Sequence, residues 1–459
     1  MMKLSVLMPV YNESRTLRTI VGKVLESPVD VEIELVCVDD HSSDGSLQIL
    51  EKLAEQDDRI RIVAQPVNMG KGKAIRTAIE HMTGDMAIVQ DADLEYDPRD
   101  YQRVIQPILE GKADAVYGSR FAASEQRRVL FFWHALGNRL LTMLSNMAND
   151  LNLTDMETCY KAVRGDILRR LRLTSDRFGF EPEITARLAQ WGASIYEVPI
   201  SYHGRTYAEG KNIGWRDGVE ALWLIFRFRF IDTRATDEDA VVTRQSLGRA
   251  PRFRRWILGP FAPYLGDSVL EVSGGPGHIT SHLLDRKRLV VTEVDPMHVE
   301  TLRRRFGHLE NLELVSGPVA AAGDGFDSAV VFDDLQRVEE PKTFLAETAG
   351  AVKSGGHILI QVPADPSLFG PTDEKAGHRR RFTRDELEET IGAAGLETVW
   401  IEDFNRLGAL GWKLRHALRH GGITATEAHS FDLLVPLAKR LEPVLPGPGL
   451  SLLAVARVP

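Results

Sequence analysis

Cysteine is nearly missing: Cys37 and Cys159 are the only two in 459 residues. Two thiols so far apart exclude a disulfide framework and a four-cysteine zinc site, and they fit a reducing cytosol. Long apolar runs are missing too. No stretch approaches the ~18 uninterrupted apolar residues of a membrane span. The longest clusters, around Val129–Trp133 and Leu222–Phe230, are broken by Arg and His, so any membrane contact should be peripheral. The opening MMKLSVLMPVYNES lacks a secretory pattern, and its apolar run reads as a strand. Positive charge is not in surplus: the formal net charge is -9, which argues against a nucleic-acid binder and leaves room only for a local basic cleft. No internal repeat or low-complexity tract is present.

The composition that remains, 43% hydrophobic and 26% charged, is that of an ordinary globular protein. The length suits two domains. Residues 1–120 alternate β-branched runs with helical patterns. Strands are expected at 3–9, 33–39, 60–65, 85–90 and 113–118, and helices near 14–26, 45–57, 71–82 and 98–110. This alternation predicts a parallel sheet covered on both faces, with functional loops beyond the carboxyl ends of the strands. Residues 127–230 read as mostly helical, with a strand near 194–200. The polar, aperiodic stretch 232–250 reads as a linker between domains at 1–231 and 251–459. A second βα series follows, with strands near 268–272, 289–293, 311–315, 327–332 and 356–362.

Asp91-Ala92-Asp93-Leu94-Glu95 follows the apolar strand MAIVQ. Two carboxylates two residues apart at a strand end suit a hard divalent cation, Mg²⁺ or Mn²⁺, shared with phosphate oxygens. Such an ion offsets the charge that develops as a diphosphate leaves. Alone, an Asp-x-Asp is more often a solvated strand end. It does not stand alone. Pro9-Val10-Tyr11-Asn12-Glu13 ends the first strand, and Val38-Asp39-Asp40-His41-Ser42-Ser43-Asp44-Gly45 ends the second. Asn68-Met69-Gly70-Lys71-Gly72-Lys73 precedes the third helix, and Gly118-Ser119-Arg120 ends a later strand.

This ordered set, over about residues 3–231, resembles family-2 glycosyltransferases of the GT-A fold. The resemblance implies that Pro9, Tyr11, Glu13, Asp39 and Asp40 hold the base and ribose of a nucleoside-diphosphate-sugar, with Gly70 and Lys71 beside the donor. It implies that Asp91, Asp93 and Glu95 form the metal and diphosphate site. Asp44-Gly45 also reads as plain turn chemistry. Three further segments look closest to the dolichyl- and polyprenyl-phosphate sugar synthases: Asp155-Met-Glu157-Thr-Cys-Tyr-Lys161-Ala-Val-Arg164, Phe178-Gly-Phe-Glu181-Pro-Glu183, and Pro199-Ile-Ser-Tyr-His-Gly-Arg205-Thr-Tyr207-Ala-Glu209-Gly-Lys211. The implied acceptor is polyprenyl phosphate at the inner face of the cell membrane, and the implied chemistry is inverting transfer. A phosphate acceptor is already largely ionised at pH 7, its second pKa lying near ~6. It needs cations rather than a base, and Arg120, Arg139, Lys161, Arg205 and Lys211 are candidates. A hydroxyl acceptor, as in envelope polysaccharide synthesis, would need a base; Asp155, Glu157 and Glu181 are available for it. A non-catalytic binding scaffold is the reading from another class. Val129–Trp133 with Leu136, Leu140 and Leu144, and Trp215–Phe230 with its arginines, suit either an interfacial helix or ordinary packing on the sheet.

In the second half, Val269-Leu-Glu271-Val-Ser273-Gly274-Gly275-Pro-Gly277 links a strand to a helix, and Glu293-Val-Asp295-Pro296 ends the next strand. A glycine-rich turn followed some 20 residues on by an acid is a nucleotide-type fingerprint. With Lys353-Ser-Gly355-Gly356 and Gly377-His378-Arg-Arg-Arg-Phe382, it resembles class I S-adenosylmethionine-dependent methyltransferases, a Rossmann-like fold. The resemblance implies that Glu271, Gly275, Gly277 and Glu293 bind S-adenosylmethionine, Glu293 at the ribose. Ser273 replaces the usual first glycine, Pro318 stands where many relatives have an acid, and Asp333-Asp334-Leu-Gln336-Arg337 departs from the usual pattern. An active methyltransferase and a degenerate scaffold are both compatible with these residues.

Overall fold

Runs of aliphatic and β-branched residues make the strands. β1 (Lys3–Val10), β2 (Glu32–Asp39) and β4 (Met86–Val89) are buried along almost their whole length, as expected for strands covered on both faces. The computed structural model describes residues 2–122, 132–177, 179–204, 215–232, 250–417 and 425–459. The chain divides into two compact units, Met1–Asp237 and Glu238–Pro459. The expected linker, 232–250, lies almost wholly outside the described residues.

In the first unit, β3 (Ile60–Ala64), β5 (Ala115–Ser119), β6 (Lys161–Arg164) and β7 (Ile195–Pro199) complete a sheet of order β3-β2-β1-β4-β6-β5-β7. Helices α1 (Leu17–Leu25), α2 (Ser46–Ala54), α3 (Lys71–His81) and α4 (Tyr101–Leu109) connect the early strands. In α1, Leu17, Ile20, Val21 and Val24 are buried, the spacing of one helical stripe. Later come α5 (Phe132–Asn149), α6 (Gly165–Leu168), α7 (Phe180–Trp191) and α8 (Trp215–Phe230). The wholly parallel sheet expected from the sequence is corrected by β6, which pairs antiparallel with both β4 and β5. Its four residues are too few to carry a period of their own.

The registers Val10↔Asp39, Asp39↔Ala64 and Leu7↔Val89 bring the carboxyl ends of four strands to one edge. α8 is fastened at its carboxyl end. The fully buried Arg187 of α7 donates to Asp232 Oδ2 at 2.9 Å, and its guanidinium lies 4.9 Å from the Phe228 ring centre. Gln190 Nε2 donates to the Phe228 carbonyl at 2.6 Å. The other side of α8 exposes Val219, Trp223, Phe226 and Phe230.

The second unit holds β8 (Ser268–Val272), β9 (Arg288–Glu293), β10 (Leu312–Ser316), β11 (Phe326–Phe332), β12 (Val352–Pro363), β13 (Glu397–Phe404) and β14 (Ser451–Arg457). Their order is β10-β9-β8-β11-β12-β14-β13, with β14 antiparallel to both neighbours. Helices α9 (Pro251–Leu258) and α10 (Pro296–Phe306) flank the glycine-rich turn's side of the sheet. The order reverses between β8 and β11, where open α/β sheets place their ligands.

Candidate active site

The crevice of the first unit is assembled from strand ends. At the end of β1, Asn12 takes a positive φ of 55° and its Oδ1 accepts from the Ser43 amide at 2.8 Å, joining the β1 and β2 loops. Tyr11 stays 51% exposed, a free ring face. The hydroxyl of Thr16 donates to Glu13 Oε2 and to the Ala92 carbonyl, tying Glu13 to the Asp-Ala-Asp turn. Pro9 lies within β1 opposite Val38.

The two aspartates at the end of β2 differ. Asp39 is buried; its Oδ2 accepts from the Ser42 amide and its Oδ1 has no hydrogen-bond partner. Asp40 uses both oxygens on the loop before α3, accepting from the amides of Met69 at 2.7 Å and Gly70 at 2.8 Å. Asp44 accepts from the amides of Ser14 and Ser46, and Gly45 follows at φ 91°, which is turn chemistry. Gly70, at φ 96°, lies so near the 175–177 backbone that a β-carbon there would stand 2.6 Å from the Asp176 carbonyl. This glycine thus lets α3 pack against that segment.

Lys71, at the start of α3, joins two distant carboxylates: its ammonium lies 2.9 Å from Asp91 and 3.0 Å from Glu181 at the start of α7. Burial works against its charge, but Asp91 and Glu181 hold the ammonium well above its usual range. Asp93 is buried and its Oδ1 accepts from the Glu95 amide at 3.0 Å. Glu95 Oε2 accepts from the Tyr202 hydroxyl at 2.8 Å, and the Tyr202 ring lies 5.1 Å from the Arg120 guanidinium. Arg120 in turn grips Asp155 through Nε at 2.7 Å and Nη2 at 2.8 Å, while the Arg120 amide donates to the same carboxylate. Glu95, Tyr202, Arg120 and Asp155 therefore form one continuous chain across the crevice. Among the described residues, no three His, Cys, Asp or Glu side chains gather into a metal cluster.

Beneath this chain lie Glu157 and Lys161. Lys161 is 1% exposed, donates to the Thr158 carbonyl, and stands 5.0 Å from the Tyr117 ring centre. Burial pulls its ammonium down, against the opposing pull of Glu181 and Glu157. Burial and then the Glu181 charge push the Glu157 carboxyl up to about 7, and its Oε1 has no hydrogen-bond partner. Arg139 sits on α5, on the wall of a groove of about 660 Å³ that also includes Phe121, Met143, Met147, Leu153 and Thr154. Arg205 and Lys211 lie outside the described residues.

Two participants were not assigned from sequence: Glu181 as a partner of Lys71, and Tyr202 as the link between Glu95 and Arg120. Both stand in quoted segments, but their partners are about a hundred residues away in the chain, a separation that no spacing rule bridges.

In the second unit, Ser273 takes φ 50° and the Gly274 amide donates to the Thr292 carbonyl at 3.0 Å. A β-carbon on Gly277 would collide with the Phe306 ring, so this glycine seats the turn on α10. Gly275 donates its amide to Glu293 Oε2 at 2.7 Å, and Glu293 Oε1 accepts from the amides of Val294 and Asp295. Glu293 therefore braces the turn. Glu271 is buried, with Oε2 unpartnered, and burial pushes its carboxyl up to about 8.

Residues 5–172 match Glycosyl transferase family 2, and residues 242–400 match a methyltransferase domain. Over 215 residues the chain is 27% identical to Glycosyltransferase AglJ of Haloferax volcanii, covering 46% of this chain and 67% of that protein. Over 211 residues it is 26% identical to Glycosyltransferase AglD of the same organism, but this spans only 33% of AglD and 44% of this chain. It is 28% identical over 227 residues to the undecaprenyl-phosphate mannosyltransferase of Micrococcus luteus, covering 46% of this chain and 88% of that one. Among solved structures, glucosyl-3-phosphoglycerate synthase from Mycobacterium tuberculosis in complex with Mn²⁺, uridine-diphosphate and phosphoglyceric acid is 18% identical at a TM-score of 0.39, covering 50% of this chain and 79% of that one. The [4+2]-cyclase SpnF is 19% identical at a TM-score of 0.33, covering 45% and 81%.

Proposed function

From a chain that carries a family 2 glycosyltransferase domain and a methyltransferase domain, we propose an inverting, metal-dependent transfer of a sugar from a nucleoside-diphosphate-sugar to polyprenyl phosphate. One observation carries the reading: the cations Lys71 and Arg120 are fixed in one crevice with the Asp91/Asp93 turn, Lys71 by half-buried Asp91 and buried Glu181, and Arg120 by buried Asp155. Such an arrangement suits two anionic reactants that must be brought together. An oxygen of the acceptor phosphate attacks the anomeric carbon from the face opposite the leaving diphosphate. The sugar–diphosphate C–O bond breaks as the new C–O bond forms, so the configuration inverts.

Asp39 keeps a buried oxygen for a base donor, and Tyr11 offers a ring for stacking. Asp40 positions Gly70 and Lys71. Asp91 and Asp93, with Glu95 beside them, would hold a divalent ion at the diphosphate. Mg²⁺ or Mn²⁺ bound there supplies Lewis-acid stabilisation of the departing diphosphate. Arg120, with Asp155 behind it, faces the acceptor phosphate; Lys161 balances Glu157 and Glu181 from below. Arg139 and the groove beside α5 suit the first isoprene units of the lipid. The exposed apolar faces of α5 and α8 suit peripheral contact with the inner face of the membrane. No described helix is long and apolar enough to cross it.

A second reading, transfer to a saccharide hydroxyl, is favoured by one observation. Glu157, pushed up to about 7 and with a free oxygen, has the character of a general base. Donor turnover measured with short-chain polyprenyl phosphates and with saccharides separates the two. Asp93→Ala should abolish chelator-sensitive release of nucleoside diphosphate with unchanged circular dichroism; wild-type turnover in that variant would refute the metal site.

In the second unit, Glu271, Gly275, Gly277 and Glu293 frame the crevice proposed for S-adenosylmethionine, a methyl donor when bound. The unpartnered, buried oxygen of Glu271 fits a cationic ligand.

A further inference from the structure

Three adjacent strands of the second sheet each deliver a buried carboxyl to the place where the strand order reverses. Glu271 comes from β8, Glu293 from the end of β9, and Asp334 from the residues just after β11. They are unequally satisfied. Glu293 accepts from three backbone amides. Glu271 Oε2 and Asp334 Oδ2 are buried without a hydrogen-bond partner.

The groups around them are mostly of the same sign. Glu271 faces Thr280 and Glu293. Asp334 faces Ser273, Asp333, Arg337 and Glu293, and His298 lies 3.8 Å from both Glu293 and Asp295. Five carboxyls thus confront one guanidinium and one imidazole. Burial pushes both Glu271 and Asp334 upward, Asp334 well above the usual carboxylate range. A buried carboxyl without a partner is costly, and that cost is recovered when a cation arrives.

A second observation concerns Ser273. It occupies the left-handed region, φ 50°, where a residue with a β-carbon is strained, and its side chain faces Asp334. The strained serine and the unusual aspartate are neighbours.

We propose that Asp334, positioned by Ser273, forms with Glu271 a charge-reading subsite in the methyltransferase unit, one that takes a sulfonium or ammonium centre and rejects the uncharged thioether. The proposal rests on this unit retaining its cofactor crevice, and it names the residues that distinguish methyl donor from spent product. It requires that cation uptake expel protons from the two carboxyls.

The test is calorimetric titration of the full chain with three probes: S-adenosylmethionine, sinefungin (an ammonium in place of the sulfonium) and S-adenosylhomocysteine (a thioether). The native chain should bind the two cations at least about tenfold more tightly than the thioether, the scale of one well-placed ionic contact. Measurements in buffers of different ionisation enthalpy should show more proton release with the cations. In Asp334→Asn the three affinities should converge to within about threefold and the extra proton release should fall to the share of Glu271, while Ser273→Gly should lie between. Equal binding of all three by the native chain would overturn the charge-reading subsite and leave the cofactor crevice standing. Unchanged discrimination in Asp334→Asn would remove Asp334 from it. Binding of none of the three would overturn both subsite and crevice.

Discussion

The Arg120–Asp155 pair permits a test in which stability and chemistry move separately. Asp155 is fully buried and Arg120 nearly so, and their two side-chain bonds are backed by the bond from the Arg120 amide. Asp155→Asn keeps the shape but leaves the guanidinium buried beside a neutral amide. Breaking a buried pair in this way costs about 3–5 kcal/mol. Hydrogen exchange of the full chain, read over the β5 and β6 segments, should accelerate by roughly two to three and a half powers of ten, since each factor of ten is about 1.4 kcal/mol. Replacing both charges, Arg120→Met with Asp155→Asn, removes the orphaned cation and should restore protection to within about 1 kcal/mol of the native chain. Sugar transfer should stay abolished in the double variant, because the cation facing the acceptor is gone. Less than about 1 kcal/mol lost in the single variant would show that the pair is not buried as described. Recovered transfer in the double variant would sink the role given to Arg120.

Three further outcomes are expected. Glu157→Gln should keep turnover with polyprenyl phosphate within about threefold, with a rate that rises through the acceptor's second ionisation near ~6; a loss of roughly a hundredfold or more would make Glu157 the base and favour a hydroxyl acceptor. Lys71→Met should weaken nucleoside-diphosphate binding about tenfold or more in calorimetry, and an unchanged Kd would remove Lys71 from the diphosphate site. Glu34 governs acid stability: burial alone would raise its carboxyl, but hydrogen bonds from Ser5 and Thr83 hold it at about 2 against the usual 4.5. A lowered carboxyl stabilises the fold above its unfolded value, and this stability, up to about 3 kcal/mol, is lost as pH falls from about 4.5 to about 2. Glu34→Gln should therefore unfold more easily at pH 7 in urea titrations and show a flatter acid limb; an unaltered limb would contradict the assignment.

Much of the fold was legible because strands buried on both faces read as unbroken apolar runs, as in MAIV of β4 and LVCV of β2. The starts of α2 and α3 were legible because Gly45 and Gly70 punctuate them. β6 was not, since four residues that include a buried lysine give no period and its partners lie far along the chain. β13 and β14 escaped as well. Their antiparallel pairing departs from the βα rhythm that located the other strands of that sheet. At the site, the strand-end motifs were visible as a set, but their division of labour was not. Adjacent aspartates proved unlike, Asp39 with an oxygen to spare and Asp40 engaged with its own loop. That difference comes from side-chain direction at a strand end, which local sequence does not encode.

The Arg187 clamp on the carboxyl end of α8 bears on how the outer side of that helix meets anything. A peptide that must coil into shape on landing gives up conformational freedom as it docks. α8 is already wound and bolted down by Arg187, Gln190 and Asp232 before any encounter. Whatever settles on Trp223 and Phe226 therefore meets a finished platform, and its grip is set by the apolar area it covers rather than by the cost of folding.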